Sequence, residues 1–363
     1  MALRLLDRIP NKREFLARSL GAMGVFRLLE RISTRRRPAL VVLTYHRIGF
    51  PGIGCNPYYD PVISASPEAF RDQVRFLRER FSIVRLEEIA GLDQAGLGPR
   101  AKPAALITFD DGYRDNFETA LPILCELDVP AAFFIPTGFF QAPRLPWWDH
   151  VACAIKQTRS PRLTLLREPE DTAPLLIELG SEPSDKARTD AIMTVIRAFL
   201  DGAIRDETWF LAELDRQAEV VIDTQARGRE LFMDWGQVRQ LVSSGMSNGS
   251  HGHSHVALGE LDEDGQTREL AGSKRILESE LGHEVTAVAY PFGWPGTFTA
   301  RTTELAALVG YRLGFSSREG VNHLGIAGFE RMALRRLNVG TGDSPALLRA
   351  RAALHGAFGK SLL

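Results

Sequence analysis

Two kinds of hydrophobic pattern alternate along the chain. Short continuous apolar runs include "ALVVLTYH" (39–46), "PAALITFDDG" (103–112), "PAAFFIP" (130–136) and "VTAVAYPFG" (285–293). Their length and their β-branched and aromatic content predict strands buried on both faces. Between them lie longer stretches with apolar residues every three or four positions. "SPEAFRDQVRFLRERF" opens with Ser66 as a cap and Pro67 in the first turn, which predicts a helix start. "RDNFETALPILCELD", "EDGQTRELAGSKRILESELG", "TARTTELAALVG" and "SPALLRARAALHG" share the helical period. "SIVRL", "MSNGSH", "YRLGFSS" and "MALRRLNVG" predict further strands. The alternation predicts an α/β protein with crossover helices: a distorted (β/α) barrel of about seven strands, with a doubly wound open sheet as the alternative. No Gly-rich phosphate loop follows a strand, so nucleotide binding has no support.

From about residue 141 to 235 the alternation lapses. "SDKARTDAIMTVIRAFLDG" and "DETWFLAELDRQAEVV" have helical period, which predicts a helical insertion on a barrel loop. Residues 1–37 form a separate expectation. Leu16, Leu20, Met23, Phe26 and Leu29 make an apolar stripe among Arg18, Arg27 and Arg31, and Arg35, Arg36 and Arg37 follow as a basic cluster. This is a basic amphipathic helix, packed on the barrel or lying on a membrane surface. The domain expectation is thus 1–37 for the helix and 38–363 for the barrel with its insertion.

Composition narrows this further. A hydrophobic content of 44% over 363 residues sustains a large core, and a net charge of -1 gives no general attraction to nucleic acid. Cys55, Cys125 and Cys153 lie far apart, a pattern of isolated thiols rather than a disulfide framework. No signal-peptide pattern and no apolar span of roughly 18 residues is present. The expected location is the cytoplasm, extended to the inner membrane surface by the N-terminal helix.

The chemistry gathers where strands stop. His46 ends the first run, Asp110 and Asp111 end "LITF", His251, His253 and His255 follow "SNGS", and Pro291 opens a turn after "AVAY". Ligands bind at the carboxyl ends of strands in such folds, so the four clusters are placed to converge. Beside a divalent cation one carboxylate serves as ligand while the other accepts a proton; alternatively, Asp-Gly is an ordinary turn pair. Two imidazoles and a carboxylate leave positions for water and substrate. Spacing alone does not say which two of the three histidines bind.

"LITFDDGY", "GSHGHSHVAL" and "AYPFG", in that order, resemble the motifs of polysaccharide deacetylases of carbohydrate esterase family four, which include nodulation-type chitooligosaccharide deacetylases. "LTYHRIG" and "LRRLNV" resemble a subgroup. The resemblance implies a metal-dependent hydrolase, with a divalent metal, often zinc, that removes N-acetyl groups from an amino sugar in a glycan or lipid-linked precursor. It assigns Asp111, His251 and His255 to the metal, Asp110 to the catalytic base, and the Phe292 N–H to the oxyanion. The alternatives are another non-peptide amide hydrolase, of deformylase or cyclic-amide type, and a catalytically weakened carbohydrate-binding protein. Two family features are missing: Ala289 stands where many members carry an Arg that orients the base, and the late "LxH" histidine is absent. His46 is the leading substitute acid, with His323 second and a core role as the bland alternative for His46. Arg336 falls near the site, as a substrate contact or in place of the lost Arg. Trp147 and Trp148 are expected to supply one sugar-stacking face and one packing anchor, with Pro291 lining the substrate; Asp149 is a substrate contact or a helix cap.

Overall fold

The protein is described from a computed structural model covering residues 12–26, 28–29, 39–52, 54–89, 91–92, 102–181, 184–323 and 330–358. Arg27, Arg31, Arg35, Arg36 and Arg37 lie outside the described residues. The chain divides into two compact units: Met1–Ile48, Ser64–Gln141 and Met233–Leu363 form the first, and Gly49–Ile63 with Ala142–Phe232 form the second.

The first unit is a closed barrel of seven parallel strands. In chain order they are β1 (Ala39–Tyr45), β2 (Ala104–Phe109), β3 (Ala132–Ile135), β4 (Ser247–Ser250), β5 (Ala287–Ala289), β6 (Leu313–Glu319) and β7 (Leu334–Asn338). Each pairs with the next, and β7 returns to β1, so barrel order is chain order. Closure leaves the barrel ring without a free edge and excludes the open doubly wound sheet. "SIVRL" is shorter than expected: only Ser82–Ile83 is extended, alongside Ala104–Ala105. Asn322–His323 pairs antiparallel with Ala39 and Leu40.

Alternation along the strands builds the interior. Leu40, Val42, Leu106, Phe134, Ala289, Phe315 and Leu334 share one buried apolar cluster. One step further along the same strand faces the residues become polar: Thr44, Thr108 and Arg336 are fully buried, and Asp110 and His251 follow just past the strand ends. The barrel therefore has an apolar floor and a polar mouth. On the other strand face, Tyr45 packs edge-on to Phe70 of the helix Pro67–Arg80, and Phe109 stacks on Phe133. β4 has no apolar residue, yet it pairs along its whole length with β3. Gly249 permits this, because a Cβ there would meet the Phe134 ring at 2.4 Å.

The helix Lys12–Ala22 belongs to this unit. Ala17 and Phe26 are buried with Leu347, Ala350, Ala353 and Leu354 of the helix Pro345–Phe358. Burying Phe26 alone is worth roughly 1.5–3 kcal/mol, so part of the apolar stripe is spent on the protein itself. Met23 stays exposed.

The second unit holds the helices Trp147–Gln157, Asp185–Leu200, Glu207–Ala218 and Thr224–Leu231. It differs from expectation in two ways. It contains a two-stranded antiparallel pair, Arg162–Leu165 with Leu175–Glu178. It also recruits residues 49–63, which the sequence places in the barrel. Lys156 explains the recruitment: its buried Nζ donates to the carbonyls of Asn56 and Tyr58 and pairs with Asp60 at 2.9 Å. Asp149 accepts the Tyr59 N–H at 2.9 Å.

Candidate metal and catalytic site

The mouth is assembled from strand ends. The Asp110 N–H donates to Tyr45 O at 2.9 Å, which extends the β1–β2 ladder one residue past the strand. Asp111 (φ 70°) and Gly112 (φ 69°) then take left-handed conformations. That reversal brings Asp111 into the mouth beside Asp110, although neighbouring strand residues face opposite ways. At Gly112 a Cβ would strike Phe140 at 2.6 Å. Five described non-glycine residues have positive φ, and three of them, Asp111, His255 and Phe292, lie at this mouth. Strained backbone concentrated in one place is a mark of a working site.

The imidazoles are oriented by the residues around them. The His251 N–H donates to Ile135 O, continuing β4 toward β3. His251 Nδ1 lies 2.7 Å from Ala289 O and must be the protonated nitrogen, since a carbonyl only accepts. Nε2 is thereby aimed at the carboxylates, the arrangement of a metal-ligating histidine. It lies 3.3 Å from Asp111 Oδ1, and His255 Nε2 lies 3.2 Å from the same atom. The ligand atoms of Asp111, His251 and His255 all fall within 4.8 Å of one another, and all three residues are buried. His253 turns away and meets Thr137 Oγ1 through Nδ1 at 2.9 Å. Of the three histidines, His251 and His255 are the two that the fold brings to Asp111.

The electrostatics fit a divalent cation. Burial pushes the Asp111 carboxyl up, but His255, His251 and His46 outweigh it and hold the group well below its usual range. Burial pulls His251 down, but Asp110 and Asp111 outweigh it and raise its pKa. Two buried carboxylates thus demand positive charge. Asp111 Oδ1 is buried with no hydrogen-bond partner, between two ring nitrogens. A cation placed there would satisfy all three atoms, and this donor set suits zinc.

Asp110 has a different partner. Arg336 is 0% exposed, and its guanidinium grips Asp110 with both arms at 2.9 and 2.7 Å. Its Nε donates to Ser316 O. Burial raises the Asp110 pKa, but the Arg336 charge, His251 and the Arg336 hydrogen bonds outweigh it, for a net lowering. Arg336 is thus placed as a partner of Asp110 and not as a substrate contact, because its side chain is buried and engaged there. Asp110 takes its Arg from β7 rather than from the position of Ala289.

The two candidate acids separate by position. His46 follows β1 at the mouth, near both Asp110 and Asp111. Its N–H donates to Ser64 Oγ, and its carbonyl accepts from Asn116. His323 pairs with Ala39, at the opposite end of the same strand. At about 3.3 Å per residue it lies roughly 20 Å from the mouth, too far to protonate anything bound there. Pro291 is buried and packs over Gly252, where a Cβ would come within 3.4 Å of its ring. The Phe292 ring stands 5.0 Å from that of His255.

The two tryptophans behave as packing residues within the second unit. Trp147 stacks on Phe199 at 4.4 Å and meets Trp148 edge-on, and Trp148 is buried. Asp149 does not cap the helix Trp147–Gln157, whose N-cap is Pro146.

Sequence reasoning missed Glu269. From the helix Glu263–Leu281 its Oε2 accepts the N–H groups of His253 and Ser254 at 2.8 Å each, while Gly138 N–H holds His253 O. This clamp shapes the loop that carries both His251 and His255. Nothing in a helical Glu signals such a role. Glu269→Ala is expected to weaken zinc binding about 10- to 100-fold, the range for supporting partners of ligands, as measured by competition with a chromogenic chelator.

Fold and site together define a parallel (β/α) barrel whose mouth holds a buried Asp-His-His cluster able to take a metal ion. The family model for polysaccharide deacetylase matches residues 98–158 and 199–314, with a gap inside the second unit. YxkH of Bacillus subtilis (strain 168), named as a polysaccharide deacetylase, is 23% identical over 148 residues, 41% of this chain and 50% of that protein. The chain therefore spans about half the length of that curated relative. Among solved structures, the Streptococcus pyogenes deacetylase PplD in complex with acetate superposes with a TM-score of 0.54 at 20% identity, covering 86% of this chain and 97% of that one. IcaB from Ammonifex degensii gives 0.51 at 20% identity, covering 87% and 97%. At that identity the two structures speak for the fold alone.

Proposed function

We propose that the protein is a metal-dependent deacetylase that removes N-acetyl groups from amino sugars of a glycan. The observation that carries this reading is the convergence of Asp111, His251 and His255 on one point beside an Arg-paired Asp110. Asp111, His251 and His255 would hold the ion. When bound, a divalent ion supplies Lewis acidity toward an amide carbonyl and makes a water more acidic.

The chain's own residues supply the rest. Asp110 accepts the proton of the attacking water, and Arg336 fixes both its oxygens in place and keeps it ionised. The Phe292 N–H donates to the oxygen of the tetrahedral intermediate. Nitrogen leaves as a free amine only if protonated, and His46 at the mouth delivers that proton. The products are acetate and an amino sugar. A lipid-linked glycan belongs to the same proposal. A deformylase or cyclic-amide hydrolase would use the same residues, whereas a pure binding protein would not need an ionised base beside an ion cluster.

The test is acetate release from N-acetylated glucosamine oligosaccharides by zinc-loaded protein. Acetate is expected in proportion to enzyme, with loss in a chelator and recovery on adding zinc. Turnover of a formamide or cyclic amide with no acetate release from any glycan would overturn the assignment.

A further inference from the structure

The aromatic surface sought at Trp147 and Trp148 has a better counterpart at the mouth itself. Trp294 follows the Pro291–Phe292–Gly293 turn after β5 and is 43% exposed. Its ring lies 5.3 Å from Phe292, whose ring lies 5.0 Å from His255. The indole is thus two ring contacts from the ion cluster. Elsewhere in the first unit, the exposed large apolar side chains among the described residues lie on the N-terminal segment or on outer helices, away from the strand ends.

The display is rigid. The Thr297 N–H and Oγ1 both donate to Trp294 O, at 3.2 and 2.9 Å, and the Gly259 N–H holds Thr297 O. Gly293 lies so close to Ser317 that a Cβ would meet its nitrogen at 2.6 Å. The main chain on both sides of Trp294 is therefore fixed, while the indole itself is left half in water. A tryptophan gains more than most residues from burial, so one held open on a stiff loop beside a reactive centre suits an apolar ligand face.

We propose that Trp294 is a sugar-stacking subsite, resting on the deacetylase reading above: it receives the C–H face of a pyranose ring neighbouring the acetylated residue. A pyranose presents such an apolar face whichever hydroxyls it carries, and the indole offers the largest flat surface among side chains. The preferred substrate is then an oligosaccharide rather than a free amino sugar, because a single ring at the ion cannot also cover Trp294.

The experiment measures acetate release by zinc-loaded protein from N-acetylglucosamine oligomers of one to five residues. In the wild type, KM is expected to fall with chain length. Trp294→Ala should raise KM for the pentamer about tenfold, the scale of one aromatic contact, with kcat within about twofold. Trp294→Phe should restore most of the length advantage, and zinc affinity should be equal in all three. The same length dependence in Trp294→Ala as in the wild type would overturn the proposal. If the wild type releases no acetate from any oligomer, the deacetylase reading fails, and stacking is read by indole fluorescence instead. A pentamer-dependent spectral change removed by Trp294→Phe supports the subsite, and its absence in the wild type overturns it.

Discussion

Asp111→Asn is expected to lower zinc affinity by more than about 100-fold, since even outer partners of metal ligands contribute 10- to 100-fold. Acetate release at fixed zinc should fall at least as far. Asn suits the test because it tolerates the left-handed backbone at this position (φ 70°). The change therefore removes a charge and a ligand atom while leaving the chain path intact. A second readout follows from linkage. Zinc at about 100 times its Kd should stabilise the wild type by about 2.7 kcal/mol, and the variant at the same zinc concentration should gain little. Wild-type zinc affinity in Asp111→Asn would mean that the ion, if any, binds elsewhere.

Arg336→Met is expected to act on stability and catalysis together. Breaking a buried ion pair by removing one partner leaves a stranded charge and costs about 3–5 kcal/mol. Here the stranded group is Asp110, buried in the barrel mouth. The loss should appear as a lower Tm in the zinc-free protein. Restoring charge balance separates the two effects: Arg336→Met with Asp110→Leu should recover much of the stability but no activity. Arg336→Lys should fall between, because a point charge cannot replace the two-armed contact at 2.9 and 2.7 Å. A stable and fully active Arg336→Met would remove Arg336 from the account.

The strand-end chemistry is legible in sequence because a parallel strand buried on both faces is a continuous apolar run, and its stop is abrupt. "LITF" before Asp110 and Asp111 is the clearest case. β4 is less legible. "SNGS" has no strand composition and is held by its pairing with β3 and by the room that Gly249 leaves for Phe134. In "LRRLN" one arginine faces in and one faces out, and only barrel register shows that Arg336 is the buried one. Register also places His46 and His323 at opposite ends of β1, since His46 follows its last residue and His323 pairs with its first. Residues 49–63 join the second unit through Lys156, about a hundred positions away, and no local pattern records that contact. Exposure of aromatic rings is equally non-local: "LPWWDHV" invites a sugar-binding reading, yet Trp147 is stacked on Phe199 while Trp294 stays open.

The central claim is that one cation is shared by three side chains from two distant segments. Anomalous diffraction at the zinc edge from zinc-loaded crystals tests it most directly. The account predicts a single strong peak within about 2.0–2.2 Å of His251 Nε2, His255 Nε2 and an Asp111 oxygen. A peak bound by His253 instead, or no peak among these residues at saturating zinc, would contradict it.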